Sequence, residues 1–294
     1  MSSSPADAPS TPSRPGAELR AAIADLVRHR ELLVELTRRD LTIRYKQAAM
    51  GLLWAVLTPL VVALSGWLVR YAFGFMSGAP VAASELAGIA LKSLGWSFIV
   101  GAIGFGTASI VANYPLVTKV YFPRAVLPLS AVGTQVIDSA IGAIAVAILL
   151  PALGVWPTAS WLWAPVLIAL LVILTAALAL LTAAANVFFR DVRHVVQMAT
   201  SFGIFFTPVF YEASAFREPG HRLLLMLNPF APLLEGLRLA VVDGHDLLAP
   251  LADAAGVTVW TPWYLLYAAA WSILGGLAAL AAFRRAEFLF AEYV

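Results

Sequence analysis

Asp138 is the one carboxylate set deep in an apolar run, 13 residues after Ala125 and about 20 Å along a helix that rises about 1.5 Å per residue. A charge there costs about 2.5–3.5 kcal/mol at mid-bilayer, so it needs either a partner, such as Gln135, Ser139 or an inward-reaching Lys92, or a task such as proton relay. A lone carboxylate makes a poor proton pathway. Asp191 and His194, three residues apart, have the chemistry of an acid–base pair, and equally the makings of a helix start. His29, His194, His221 and His245 are scattered with no His-Glu-x-x-His grouping, so no metal site is assigned. The absence of cysteine excludes thiolate-held zinc, iron–sulfur clusters and thiol nucleophiles. Gly88-Ile-Ala-Leu-Lys92-Ser93 lacks the second glycine of a phosphate loop, so the chain has no nucleotide site of that kind, and no catalytic residue is assigned.

These residues sit in a chain of 294, of which 61% are apolar and 12% charged, against about 25% charged in a soluble domain. The composition is that of a membrane protein, and the net charge of +2 gives no ground for a nucleic-acid partner. A crossing helix needs about 20 apolar residues. The sequence predicts an all-α integral membrane protein with six transmembrane helices, at about 51–75, 86–111, 125–150, 162–188, 195–212 and 259–283, inside one domain of 47–294. With the N-terminus inside, Arg14, Arg20, Arg28, Arg30, Arg38, Arg39, Arg44, Lys46, Lys119, Arg124, Arg190, Arg193, Arg284 and Arg285 are cytoplasmic. Arg70, Lys92, Arg217, Arg222 and Arg238 are then outside, so basic-residue bias sets both termini in the cytoplasm.

Ahead of the spans, 1–17 reads as a disordered Ser/Pro/Ala tail, and 18–46 as an amphipathic interfacial helix with Leu19, Ile23, Leu26, Val27, Leu33, Val34 and Leu41 on one stripe. It serves either as a simple anchor or as an anchor that also docks a cytoplasmic partner. The loop after span two is oddly apolar: Pro115 and Pro123 bracket Leu116, Val117, Val120 and Tyr121, a patch that the interface or another protein must cover. Between spans five and six, Leu223–Val242 is apolar but broken by Asn228-Pro229 and Pro232, which predicts short re-entrant outer helices or a surface helix. Trp156, Trp161, Trp163, Trp260 and Trp263 fall at outer span ends as an aromatic belt. Trp54, Trp67, Tyr71, Trp96 and Phe105 fit that belt less easily; aromatic faces stack on the apolar faces of sugars, and lipid-facing or packing roles compete.

Arg39-Asp40 followed by Arg44-Tyr45-Lys46, Gly51, Trp54 and Pro59 resembles the opening motif R-D-x-x-x-R-Y-K-x-x-x-x-G-x-x-W-x-x-x-x-P. That motif typifies the permease subunits of bacterial ABC exporters for polysaccharides, including O-antigen and teichoic-acid transporters. Phe122-Pro-Arg124 with Pro128-Leu129 is similar to the same family's F-P-R-x-x-x-P-L segment. Further matches follow in family order at Phe189-Arg-Asp191 with Arg193, at Thr207-Pro-Val-Phe-Tyr211, and at Leu227-Asn-Pro-Phe-Ala-Pro-Leu233 with Glu235 and Arg238. Ala48-Ala49 and the tail depart only slightly.

The resemblance implies a homodimeric channel on two separate ATPase subunits, which carry the ATP and magnesium, so this chain needs no cofactor and is no enzyme. It implies that the loop after span two is the ATPase-coupling element, with Tyr114, Leu116, Val117, Lys119, Val120, Tyr121, Phe122 and Arg124. Arg38, Arg39, Asp40, Arg44, Tyr45 and Lys46 then stand at the cytoplasmic interface where substrate comes in. Spans one and five are implied as channel walls, which makes Trp54, Trp67, Tyr71, Trp96, Phe205, Phe206, Phe210 and Tyr211 candidate channel aromatics. Asn228, Pro229, Pro232, Glu235 and Arg238 fall in an outer gate. The implied substrate is a lipid-linked envelope polysaccharide crossing the bacterial inner membrane. A small-lipid or drug exporter is the alternative within the family; an integral-membrane glycosyl- or acyltransferase and a proton-driven carrier are alternatives outside it.

Overall fold

The computed structural model describes residues 15–46, 51, 53–78, 80–119, 122–216, 218–253 and 256–290. Positions 1–14 of the expected tail lie outside the described residues, as do Val120 and Tyr121. Eleven α-helices follow one another among the described residues: α1 (Pro15–Arg28), α2 (Arg30–Lys46), α3 (Leu53–Ser77), α4 (Ala83–Ala112), α5 (Tyr114–Lys119), α6 (Val126–Ala152), α7 (Trp163–Phe188), α8 (Val192–Gly203), α9 (Pro219–Met226), α10 (Phe230–Val241) and α11 (Pro262–Glu287). A two-stranded antiparallel ribbon, β1 (Leu251–Ala252) with β2 (Thr258–Trp260), is the one sheet among these residues. The protein is an all-α multi-pass membrane protein.

Among the described residues five helices are long and apolar enough to cross a bilayer: α3, α4, α6, α7 and α11. Helices in lipid gain little from apolar contact alone, so close packing at small residues orders the bundle. α4 occupies its centre and packs on α3, α6 and α7. A side chain added at Gly106 of α4 would begin 2.7 Å from the Ala179 Cβ of α7, which is why glycine stands there. α3 and α11 leave most of their apolar surface uncovered.

The fifth span is where the structure departs from expectation. α8 has 12 residues and is about 18 Å long, short of the roughly 30 Å hydrocarbon core. One 3-10 turn, Ile204–Phe206, continues it, and Thr207 is then extended (φ −125°, ψ 138°) because Pro208 disfavours helical geometry in the residue before it. The apolar stretch beyond folds as α9 and α10, bent by 101° across Leu227–Pro229. Counting this pair as one broken crossing brings the total to six.

Two further expectations change. Residues 15–46 form two helices parted at His29, so the helix begins three residues inside the expected tail, and the pair is not confined to an interface: Leu36 is buried and α2 packs along α6. Ile23, Val27, Val34 and Ile43 stay exposed. Trp260 is not a belt residue; it is fully buried, and its indole N–H donates to the Leu247 carbonyl at 2.9 Å.

Candidate functional site

Asp138 obtains its partners from α2. Its Oδ2 accepts from Arg44 Nη1 and its Oδ1 from the Tyr45 hydroxyl at 2.6 Å. Gln135 Oε1 lies 3.4 Å from the same guanidine nitrogen, and the guanidinium stands 4.2 Å from the centroid of the Phe105 ring. Burial and the neighbouring Asp138 push the Tyr45 hydroxyl up to about 12, which keeps it a donor. This group forms one wall of a cavity of about 530 Å³, with Trp54 and Pro59 of α3, Trp96 of α4, Ser139 of α6, and Thr200, Ser201 and Ile204 around the end of α8. Trp96 is buried, and its ring packs where a side chain at Gly203 would stand; Trp54 is half exposed.

Lys92 does not reach Asp138. Its Nζ donates to the Tyr211 carbonyl at 2.6 Å and lies 3.3 Å from Glu235 Oε2. Glu235 Oε1 accepts from Arg238 Nη2 at 2.9 Å and from the Ala213 backbone N–H at 3.3 Å. Arg238 also meets Asp243 at 2.8 Å and Glu212 at 3.4 Å. Lys92 and Glu235 are buried to within 1% of full enclosure, so each charge is satisfied inside the protein rather than by water. The cluster backs a second cavity of about 710 Å³, lined also by the Arg70–Glu85 ion pair and by Phe73, Phe205, Phe210, Tyr211 and Phe216.

Both cavities are lined by the same three stretches of chain, in register. α3 contributes 54–62 to the first and 69–73 to the second, α4 contributes 94–105 and then 85–92, and the third stretch contributes 200–204 and then 205–216. Gly66 falls between them: a Cβ there would stand 2.5 Å from Phe210 Cδ1 and 2.7 Å from Ile89 Cγ2. A narrow apolar contact therefore lies between two chambers that are mostly apolar and aromatic, each with an ion cluster in one wall.

Trp67 donates to the Leu86 carbonyl at 2.9 Å, which is a helix-packing bond, and Tyr71 and Phe206 are exposed and line neither chamber. Asn228 joins two sequence motifs, donating to Thr207 Oγ1 at 2.8 Å and accepting from the Phe230 N–H at 3.1 Å. Pro229 stands at the N-cap position of α10, and Pro232 is buried within the helix. Arg39 bonds Asp40 and reaches Asn113 Oδ1 at 2.9 Å, while Arg38 and Lys46 lie on the same helix.

The loop after span two needs less covering than its composition suggests. Val117 and Phe122 turn inward with Leu36, Val126, Val187 and Phe283, Leu116 packs against them, and Tyr114, Thr118 and Lys119 remain outside. Among the described residues of the loop, the chain itself thus covers Leu116, Val117 and Phe122. Arg124 is tied to Glu287 of α11. Asp191 and His194 are exposed at the start of α8, where the His194 N–H donates to the Asp191 carbonyl at 2.9 Å, as in any helix start. Among the described residues no cluster of His, Asp or Glu fit to hold a metal occurs.

Glu85, Glu212, Asp243 and Glu287 are partners that the sequence does not single out. Only the i, i+3 spacing of Glu235 and Arg238 hinted at one bond of the outer cluster.

The family model described as "ABC-2 type transporter" matches residues 31–242. The chain is 31% identical over 244 residues to the O-antigen export system permease protein RfbA of Myxococcus xanthus, covering 82% of this chain and 92% of that protein. It is 28% identical over 216 residues to the protein of the same name from Klebsiella pneumoniae, covering 73% of this chain and 81% of the relative.

Proposed function

The chain belongs to the ABC-2 type transporter family, and on that premise we propose that it is the permease of an ATP-driven exporter for a lipid-linked envelope polysaccharide. Two copies form the channel in the cytoplasmic membrane, with both termini inside, and two separate ATPase subunits dock beneath them. The tail ahead of residue 15, the helical segment at 15–46 and the permease domain at 47–294 are its three parts.

The observation that carries this reading is the pair of chambers strung along α3, α4 and the stretch after α8, parted at Gly66, Ile89 and Phe210. Aromatic faces beside carboxylates and guanidinium groups suit sugar rings, which present apolar faces edged by hydroxyls. On this reading the chamber at Arg44 and Asp138 is the cytoplasmic one, and the chamber at Lys92 and Glu235 opens outward. The Glu235–Arg238 cluster holds α10 as the outer gate, and Tyr114, Lys119 and the buried Val117 and Phe122 form the coupling element.

The test removes the chain from its own bacterium and labels intact spheroplasts with a membrane-impermeant lectin. Lipid-linked glycan should accumulate inside, and the wild-type chain should restore surface labelling. Gly66→Leu should reach the membrane with its ATPase yet leave the glycan inside. Surface glycan at normal level without the chain would overturn the proposal.

A further inference from the structure

We propose that Glu287, at the end of α11, is a positioning residue that clasps the coupling segment, so that movement imposed on α5 passes into α6 and α11 together. This rests on the reading above that α5 meets an ATPase subunit.

The clasp consists of two hydrogen bonds that bridge 163 residues of sequence. Glu287 Oε1 accepts from the Arg124 backbone N–H at 2.6 Å, and the Glu287 carbonyl accepts from Arg124 Nη1 at 3.1 Å. Arg124 lies just ahead of α6, whose first N–H groups, at Val126 and Leu127, donate back to the Pro123 and Arg124 carbonyls at 3.0 and 3.1 Å. The Arg124 N–H is not among those helical bonds, and a side-chain oxygen from another helix takes it. The bond thus ties the residue that leads into α6 to the last residue of α11.

The surroundings make the clasp stiff. Phe290, just past α11, is fully buried, with its ring 5.6 Å from Phe283 and 5.7 Å from Phe188, and the Arg124 guanidinium lies 5.8 Å from its centroid. Phe122 is buried on the same side, so the segment leading from α5 is held by both an apolar anchor and a charged one. One turn earlier on α11, Arg284 pairs with Asp25 of α1 at 2.7 Å. Between these contacts lies an open polar cleft of about 800 Å³. A push on α5 thus meets three elements joined by short bonds, and α11 moves with the loop instead of being left behind.

The experiment uses the whole complex, purified from native membranes and reconstituted, and compares Glu287→Ala with Glu287→Gln. Glu287→Ala should keep the ATPase bound and hydrolysis within about twofold of wild type, while export per ATP hydrolysed falls tenfold or more. Glu287→Gln retains a side-chain oxygen for the Arg124 N–H and should recover most of that ratio. An unchanged ratio in Glu287→Ala overturns the proposal, whether export is normal or falls in step with hydrolysis. The chain has no cysteine, so a second variant, Arg124→Cys with Glu287→Cys, can be closed with a short bismaleimide. Export should be poor before cross-linking and restored after it; export blocked by the cross-link also overturns the clasp. Failure of any ATPase to purify with the wild-type chain would instead sink the functional reading beneath it.

Discussion

Two ion clusters face the two chambers, and they are built differently. At the α10 end, Lys92, Glu235 and Arg238 are withdrawn from water, and Glu235 accepts bonds from Arg238 and a backbone amide beside Lys92. At the α2 end, Arg44 keeps 26% of its side chain exposed against a nearly buried Asp138, and the bond joins a peripheral helix to a spanning one. Charge pairs out of water have no substitute partner, so the first cluster sets a fixed wall. Arg44 can exchange its carboxylate for water or for an anion in the chamber, so the second contact can open at modest cost.

The largest effect that would sharpen this contrast is expected from Glu235→Ala, which leaves two buried cations facing each other. It should cost about 3–5 kcal/mol and lower the unfolding temperature in detergent sharply. Replacing the pair together, as Lys92→Met with Glu235→Leu, should recover much of that loss; a double variant no better than Glu235→Ala would show that geometry rather than charge matters there. Asp138→Asn should be milder, because Arg44 still reaches water. Hydrogen exchange should speed up in α2 while the unfolding temperature falls less than in Glu235→Ala, and a larger fall would break the comparison. Retained export in Asp138→Asn would also remove the proton-carrier reading.

Tyr45→Phe should be the smallest, about 1 kcal/mol for one hydrogen bond, read as slightly faster exchange in α2. The Tyr45 pKa is raised in the fold, so the protonated phenol is the form that folding favours. Its contribution is complete below the unfolded value near 10 and lost as pH rises through about 12. Tyr45 is thus one of the late-titrating tyrosines, and absorbance at 295 nm should show a late rise that is smaller by one tyrosine in Tyr45→Phe.

Hydropathy located α3, α4, α6, α7 and α11 to within a few residues, because an uninterrupted apolar run of that length has few other uses. It overextended the fifth span: Val195–Tyr211 has no charge, yet Pro208 ends the helix early, and the hydropathy of a window does not register a backbone break. The coupling loop shows a similar division. Its apolar composition was visible, but that Val117 and Phe122 turn inward while Tyr114 stays out depends on which helix ends lie beneath them.

By itself the sequence determined that this chain lives in a membrane, roughly where it crosses, and, through motifs spread in order along it, what family it resembles. Those are properties of local composition and spacing, which survive without knowledge of neighbours. Tertiary structure alone decided that Asp138 pairs with Arg44 and Tyr45, that Lys92 turns instead to Glu235, and that Glu287 meets Arg124. A buried charge demands some partner, but many candidates along the chain carry the opposite sign. Only the rotation and packing of the helices bring one of them within bonding distance.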